Sequence, residues 1–332
     1  MGNLSTKQEQ KELFKLDLKD RKILNELDSN ARQSCSQIAK KVGLSTEVVN
    51  YRIKKLEEEK IITQYQTAIN ISKLGIIQFK LCLSLQHLTS DNLEKIISQL
   101  RLNKSIKWIV SCKGNWDLII SSETDSLQKV ESLKNEVLSL FGNHIDQKSL
   151  SIAVEASAFS RNYLLEGKKS LNREKVIINY EEKIKIDDLD LEILGKLSEN
   201  SRKSIINIAS ELRKTPKIIH YRIKQLIKSK VITGFRIVIN YEKLGIHFYK
   251  VFVYLDKPEK SRVNELIRYF QGNKNIIHHV GVIGNWDFEP EFEVYSEDEF
   301  NNLLREMKDK FSDVIKKLDI VTVSKEHKFV YF

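Results

Sequence analysis

The chain repeats itself. Shifted by 170 residues without a gap, Asp20, Ile23, Leu24, Leu27, Asn30 and Arg32 fall on Asp190, Ile193, Leu194, Leu197, Asn200 and Arg202. The same register carries Tyr51-Arg52-Ile53-Lys54 onto Tyr221-Arg222-Ile223-Lys224, Leu74-Gly75 onto Leu244-Gly245, and Gly114-Asn115-Trp116-Asp117 onto Gly284-Asn285-Trp286-Asp287. Matches reach both ends of the unit, so whatever the first half folds into, the second folds into too. At 332 residues and about 100–200 residues per domain, each copy has room for two small domains.

Composition narrows the class. Only 12 glycines and 3 prolines occur, which favours long uninterrupted elements over collagen-like or linker-rich architectures. Cys35, Cys82 and Cys112 are irregularly spaced. They form neither a disulfide framework nor a metal-ligand pattern, and no metal or cofactor is expected. No apolar run approaches the ~18–20 residues of a membrane span, and Met1–Phe14 is too polar for a signal peptide. A cytoplasmic protein without a membrane partner is the expectation. The net charge of +10 suits an acidic partner such as nucleic acid.

Apolar spacing in the first part of each copy predicts three short helices. Ile23, Leu24 and Leu27 share one face, as do Ile38, Ala39 and Val42, and Val49, Ile53 and Leu56 fall at i, i+4, i+7. Gly43 marks the turn and Ser45 the cap of the third helix. Thr46, Glu47, Asn50, Tyr51 and Lys54 then face outward. The second copy repeats this, with Thr215-Pro216 opening its third helix and Pro216, Lys217, His220, Tyr221 and Lys224 outward. Arg213 replaces the turn glycine, so it adopts a left-handed conformation or the turn differs. Three helices with a tight turn before the third make a helix-turn-helix. From Leu212 through Tyr241 there is no acidic residue. That stretch, which includes Arg222 and Arg236, suits phosphate contact. The first copy is less basic, because Glu47 and Glu57-Glu58-Glu59 lie in its third helix.

The pattern then switches. Ile76–Leu85 reads as a strand, Asp91–Leu102 as a helix, Ser105–Cys112 and Trp116–Ser121 as strands, Ser126–Phe141 as a helix and Gln147–Val154 as a strand. The order βαββαβ is the ferredoxin-like split motif, and the second copy repeats it. One sheet face is left bare and needs a partner, which a second copy in the same chain can supply. The fold class is therefore α+β. The expected division is a tail at 1–15, a helix-turn-helix at 16–70, a βαββαβ domain at 71–162, a connector at 163–183 with a short strand near Val176–Asn179, a second helix-turn-helix at 184–240 and a second βαββαβ domain at 241–332.

On these residues the chain resembles the Lrp/AsnC (feast/famine) family of transcription regulators. The marks are Gly43-Leu44-Ser45, Arg52-Ile53 with Leu56, Lys60-Ile61-Ile62 leading to Leu74-Gly75, and the turn Gly114-Asn115-Trp116-Asp117. The resemblance implies a winged helix-turn-helix followed by a RAM-type effector domain, here twice in one chain as an intramolecular pseudo-dimer. It implies a regulator that binds double-stranded DNA and is not an enzyme. DNA would be met by Ser45, Thr46, Asn50, Tyr51, Arg52 and Lys54, and by Thr215, Lys217, His220, Tyr221, Arg222 and Lys224. A small effector such as an amino acid would be met by Gly114, Asn115, Asp117, Gly284, Asn285 and Asp287. A glycine and asparagine between strands also serve hairpin geometry alone.

Two features stand apart. His278-His279 face opposite ways on a strand and cannot share a metal. Asp287, Glu289, Glu291 and Glu293 alternate with Phe288, Pro290, Phe292 and Val294. This reads as a solvated or inter-subunit carboxylate stripe, with the proline at an edge or bulge. Two other functions use similar modules. Siroheme decarboxylases would place His and Arg around substrate carboxylates, and Trp108–Ser121 carries neither. A protein-interaction module with a degenerate first helix-turn-helix is the other. No nucleophile, P-loop or dinucleotide fingerprint appears.

Overall fold

Asp17, Ser34 and Ser45 open three successive helices, each accepting a hydrogen bond from the backbone amide three residues on. In the computed structural model, which describes residues 13–165 and 173–330, these are α1 (Leu18–Ser29), α2 (Cys35–Val42) and α3 (Thr46–Glu58). Asp187, Ser204 and Thr215 do the same for α6 (Asp188–Glu199), α7 (Ile205–Glu211) and α8 (Pro216–Lys228). At the turn before the third helix Gly43 has φ +66° and Arg213 φ +52°. Arg213 therefore takes the left-handed conformation, at a cost the glycine avoids.

Between the two trios lie β1 (Ile62–Ile69), β2 (Ile77–Leu85), α4 (Ser90–Leu102), β3 (Ile106–Gly114), β4 (Leu118–Thr124), α5 (Leu127–Phe141), β5 (Ile145–Phe159) and β6 (Glu174–Asn179). After the second trio come β7 (Ile232–Ile239), β8 (His247–Leu255), α9 (Lys260–Gly272), β9 (Ile276–Ile283), β10 (Glu291–Val294), α10 (Glu297–Lys310) and β11 (Ile315–Phe329). The tail expected at 1–15 lies largely outside the described residues.

The halves are joined strand to strand. β1 and β7 form an antiparallel ribbon from Ile62↔Ile239 to Ile69↔Ile232. The other strands run β2-β4-β3-β11-β8-β10-β9-β5-β6, and β2 also pairs with β5. That last pairing closes eight strands into a barrel, with β6 appended to β5. The long final strand of each half does the joining: β5 pairs with β9, and β11 with β3. Closure removes the open edges that separate sheets would present.

Period-2 alternation sorts the barrel's two faces. Phe79, Leu81 and Leu83 point outward, under Ile97 and Leu100 of α4 and Val137 and Phe141 of α5. Val251 and Val253 do likewise beneath Phe270 of α9 and Phe300 and Met307 of α10. Burying each of these side chains contributes about 1.5–3 kcal/mol. The alternate positions, Lys80 and Cys82 with Lys250 and Phe252, project into the barrel and are buried.

The acidic stripe is not solvated, which corrects the sequence reading. Glu289 and Glu293 are 0 % and 1 % exposed, because β10 lies between β8 and β9 rather than at an edge. Pro290 sits just before β10, where the ladder is irregular and Phe288 forms only isolated bridges.

Candidate nucleic-acid interface and central cavity

Buried Val49, Ile53 and Leu56 fix one side of α3, and Ile219, Ile223 and Leu226 one side of α8. Thr46, Asn50, Tyr51 and Lys54 are exposed, as are Lys217, His220, Tyr221 and Lys224. Ser45 and Thr215 are exposed but spend their hydroxyls on capping, at 3.3 Å from Val48 N and 3.4 Å from Ile218 N. Arg52 Nη1 is 2.7 Å from both Asp17 and Asp20. Arg222 Nη1 is 2.8 Å from Asp187 and 3.3 Å from Asp190. Both arginines thus tie the third helix to the start of the first. Arg236, counted above within a phosphate-suited stretch, is 3 % exposed and faces inward, which corrects that part of the reading.

The two helical trios hold each other reciprocally. Arg202 Nη1 donates to the carbonyl oxygens of Ala31 (2.7 Å) and Gln33 (3.2 Å). Arg32 Nη1 donates to Ser201 O and, at 3.1 Å, to Lys203 O. Each guanidinium also lies over an aromatic ring of the ribbon, Arg32 5.4 Å from Phe235 and Arg202 5.3 Å from Tyr65. The spacing of α3 and α8 is thereby set by the chain itself.

Inside the barrel is a compact ion cluster. Lys80 and Lys250 both reach Glu289 Oε2, Lys250 at 2.8 Å, and Lys250 is also 2.7 Å from Glu291. Burial disfavours the charge on Glu289, yet Lys250 and Lys80 hold its carboxyl well below the usual range. A second cluster forms where Arg161 bonds Glu293 (2.8 Å) and Asp28 (2.9 Å). Arg236 Nε lies 3.5 Å from Asp28, and its Nη1 is 3.1 Å from His278 Nε2. Burial depresses His278 to about 3, so the neutral ring accepts from Arg236. Sequence reasoning named Glu289, Glu291, Glu293, His278 and Arg236 in other roles and missed Lys80, Lys250, Arg161 and Asp28. A signal was present, because Lys80 and Lys250 interrupt apolar strands at equivalent positions of the repeat.

Between the β1/β7 ribbon and the barrel strands lies a cavity of about 440 Å³. Arg161, Arg236, His278 and Glu293 line one part; Lys107, Trp108, Glu123, Glu326 and Tyr241 line another. Ile69, Ile71, Ile177, Ile237 and Val280 supply apolar wall. Burial raises the carboxyls of Glu123 and Glu326 above the usual range, although Lys107 partly opposes it at the first and Trp108 at the second.

The turn residues expected to meet an effector are elsewhere. Asp117 Oδ2 accepts from Leu85 N at 2.7 Å and Asp287 Oδ2 from Leu255 N at 2.8 Å. Gly114 has φ +129°, and a Cβ there would lie 2.6 Å from Ile320 O on β11. A Cβ on Gly284 would lie 3.0 Å from Ser151 Cβ on β5. Each turn is thus packed against the other half's final strand. Trp116 and Trp286 meet inside, with ring centroids 6.2 Å apart.

Two helix-turn-helix units joined by a ribbon to a closed βαββαβ barrel define the class: helix-turn-helix heads of the DNA-binding type on an α+β body. Residues 16–63 match the winged helix-turn-helix DNA-binding family. An uncharacterised HTH-type transcriptional regulator of Pyrococcus furiosus is 36 % identical over 104 residues, 31 % of this chain and 69 % of that protein. A leucine-responsive regulatory protein of Rhizobium meliloti is 29 % identical over 131 residues, 39 % of this chain and 83 % of its own. The chain belongs to the Lrp/AsnC family of transcription regulators. Over its whole length it shares the fold of the siroheme decarboxylase NirDL, with TM-score 0.60, 14 % identity, and 95 % and 93 % of the two chains covered. This corrects the expectation that such a chain is not an enzyme: a protein described as a siroheme decarboxylase has the same fold. The argument from Trp108–Ser121 also fails, because the cavity draws Arg236 and His278 from β7 and β9 and Arg161 from the loop after β5.

Proposed function

We propose that the chain is a DNA-binding transcriptional regulator in which one polypeptide supplies both heads of an intramolecular pseudo-dimer, and in which the central cavity receives a small-molecule effector. The observation that carries this reading is α8. Its exposed face (Lys217, His220, Tyr221, Lys224) is free of acidic residues, at the position where such helices enter a major groove. Lys217 and Lys224 would meet phosphates. Thr46, Asn50, Tyr51, His220 and Tyr221 would meet base edges. Arg52 and Arg222 would act mainly by orienting these helices. Action on DNA places the protein inside the cell. The turn residues Gly114, Asn115, Asp117, Gly284, Asn285 and Asp287 serve the packing of the halves in this reading, and the cavity takes the effector role.

The test is mapping of bound DNA across the source genome, followed by titration of a recovered site at increasing salt. Binding through phosphates predicts a steep linear fall of log affinity with log salt; a flat response overturns the reading.

A second reading, chemistry in the cavity, is supported by the whole-chain likeness to siroheme decarboxylase. Siroheme is a polycarboxylate, and Glu123, Glu242, Glu291, Glu293 and Glu326 all line the cavity. Lys80, Lys107, Arg161 and Arg236 line it too, so the wall is mixed in sign rather than a basic cradle for a polyanion. Titration of siroheme with absorbance readout decides: a bound spectrum and loss of carboxyl groups would establish this reading over the first.

A further inference from the structure

The final strands of the two halves are equivalent under the 170-residue shift, yet they are not equally covered. β5 pairs with β9 on one side, and its residues 155–159 pair with β6 on the other. The equivalent residues of β11, 325–329, pair with β3 on one side. Pairing of β11 with β8 ends at Thr322, so among the described residues no strand pairs with the second side of 325–329. Exposure follows the pairing. Ser157, Ala158 and Phe159 are buried, whereas His327, Lys328 and Phe329 are half-buried. Thr63, Val238, Glu326 and Phe329 line both the central cavity and a groove at this edge. Thr233 Oγ1 donates to Val176 O of β6 at 2.7 Å. Its equivalent, Thr63, is exposed and donates to Val238 O at 3.3 Å. An open edge of this kind is a template for an added strand.

The chain itself carries the equivalent of the strand that is missing there. After β6 the backbone enters the second head past Gly75, where a Cβ would lie 2.9 Å from Lys183 Nζ, and Ile184 N donates to Lys73 O at 2.8 Å. The first head is entered by the same route. A Cβ on Gly245 would lie 3.1 Å from Leu13 Cδ1, and Phe14 N donates to Lys243 O at 2.8 Å. The shift that carries Leu13 and Phe14 onto Lys183 and Ile184 carries residues 4–9, which lie outside the described residues, onto β6.

We infer that the edge of β11 at 325–329 is a docking site for residues 4–9 of the same chain, added antiparallel in the register that β6 takes on β5. That register sets Leu4 opposite Phe329 and Glu9 opposite Lys325, one apolar and one ionic cross-strand pair. Lys7 takes the place of Ile177, which lines the cavity together with Ala156. The equivalent of Ala156 is Glu326, so the change from isoleucine to lysine is matched by a change from alanine to glutamate. Only residues 10–12 separate the segment from Leu13, and so short a tether gives it a high effective concentration at the edge. The first head is then held on its N-terminal side by the final strand of the second half, as the second head is held by that of the first. The inference is independent of what the cavity binds.

Hydrogen exchange on the full chain and on a chain lacking residues 2–9 tests it. Amides of 325–329 should exchange about tenfold faster or more in the shortened chain, while those of 155–159, still covered by β6, stay unchanged. Unchanged exchange at 325–329 overturns the assignment, and so does an equal rise at both strands, which reports general loosening. Disulfide trapping reads the register separately, with the half-buried Cys35 changed to serine. Leu4→Cys with Phe329→Cys should close a bond within one chain, because cross-strand Cα atoms lie about 4.5–5.5 Å apart. Leu4→Cys with Lys325→Cys should not. Equal bonding by both pairs shows mere proximity and overturns the register. Bonds formed only between two chains place another copy's segment at the edge and overturn the assignment to the same chain.

Discussion

Lys80 and Lys250, equivalent positions of the two copies, reach the same carboxylate oxygen, Glu289 Oε2, in the middle of the barrel. The position equivalent to Glu289 in the first copy is Ile119, so one glutamate serves two symmetric lysines. Glu291 adds a second acid to Lys250 alone. The join between the halves is therefore symmetric in its strands and asymmetric in its charges.

Removing the shared carboxylate should cost far more than removing one lysine. Glu289→Gln leaves two buried ammonium groups facing each other with Glu291 as their remaining acid. A buried charge deprived of its partner costs about 3–5 kcal/mol. Lys80→Met keeps the Lys250–Glu289 pair and should cost less, about 1–2 kcal/mol. Urea unfolding of the two variants measures both. Equal losses would show that the lysines do not share Glu289.

The DNA reading predicts unequal heads. Lys217→Glu with Lys224→Glu should weaken binding strongly and lower the salt slope by about 2, the number of phosphate contacts removed. Glu47→Lys, on the exposed side of α3, should strengthen binding. Fluorescence anisotropy on one DNA at several salt concentrations checks both. Equal effects from weakening either head would contradict the asymmetry between α3 and α8.

Sequence reading reached the elements and missed what joins them. The apolar spacing of Val49, Ile53 and Leu56 predicts α3 because a helix face depends on neighbours three and four residues apart. Gly114 was seen as a hairpin residue, but the constraint on it comes from Ile320 O, some two hundred residues away in the chain. No local pattern encodes such a neighbour. The acidic stripe failed for the same reason: Glu289 reads as solvated until Lys80 and Lys250 are brought to it by strand pairing. Arg161, at the end of the first βαββαβ unit as read from the sequence, carries no local mark of a role. It is buried between Asp28 and Glu293.

Arg32 and Arg202 should matter to DNA binding without touching DNA. Each donates to backbone oxygens of the opposite trio. Either one changed to alanine should therefore loosen the spacing between α3 and α8. Affinity for a site spanning two half-sites should fall by roughly tenfold, while affinity for a single half-site stays unchanged. A comparable loss at both DNAs would instead place these arginines at the DNA surface.

Acid should destabilise the fold before its carboxylates titrate. Burial holds His278 down to about 3, with Arg236, Arg161 and Lys250 adding to the effect and Glu291 opposing it; burial alone holds His279 at about 4. Both rings stay neutral in the folded chain, while in the unfolded chain they take up protons below about pH 6.5. The unfolded state then binds more protons, so stability falls as pH falls from about 6.5 toward 4. At pH 5 the loss should be roughly 1–2 kcal/mol for each histidine. Asp28, whose carboxyl is lowered, contributes only at more acidic pH. Glu123 and Glu326, whose carboxyls are raised, act in the opposite sense. The readout is therefore a difference. In His278→Gln the amide oxygen can still accept from Arg236, and the drop in Tm between pH 7 and pH 5 should be smaller than in the unaltered chain. An identical drop in both proteins would show that His278 is protonated at no cost, contrary to its place beside Arg236.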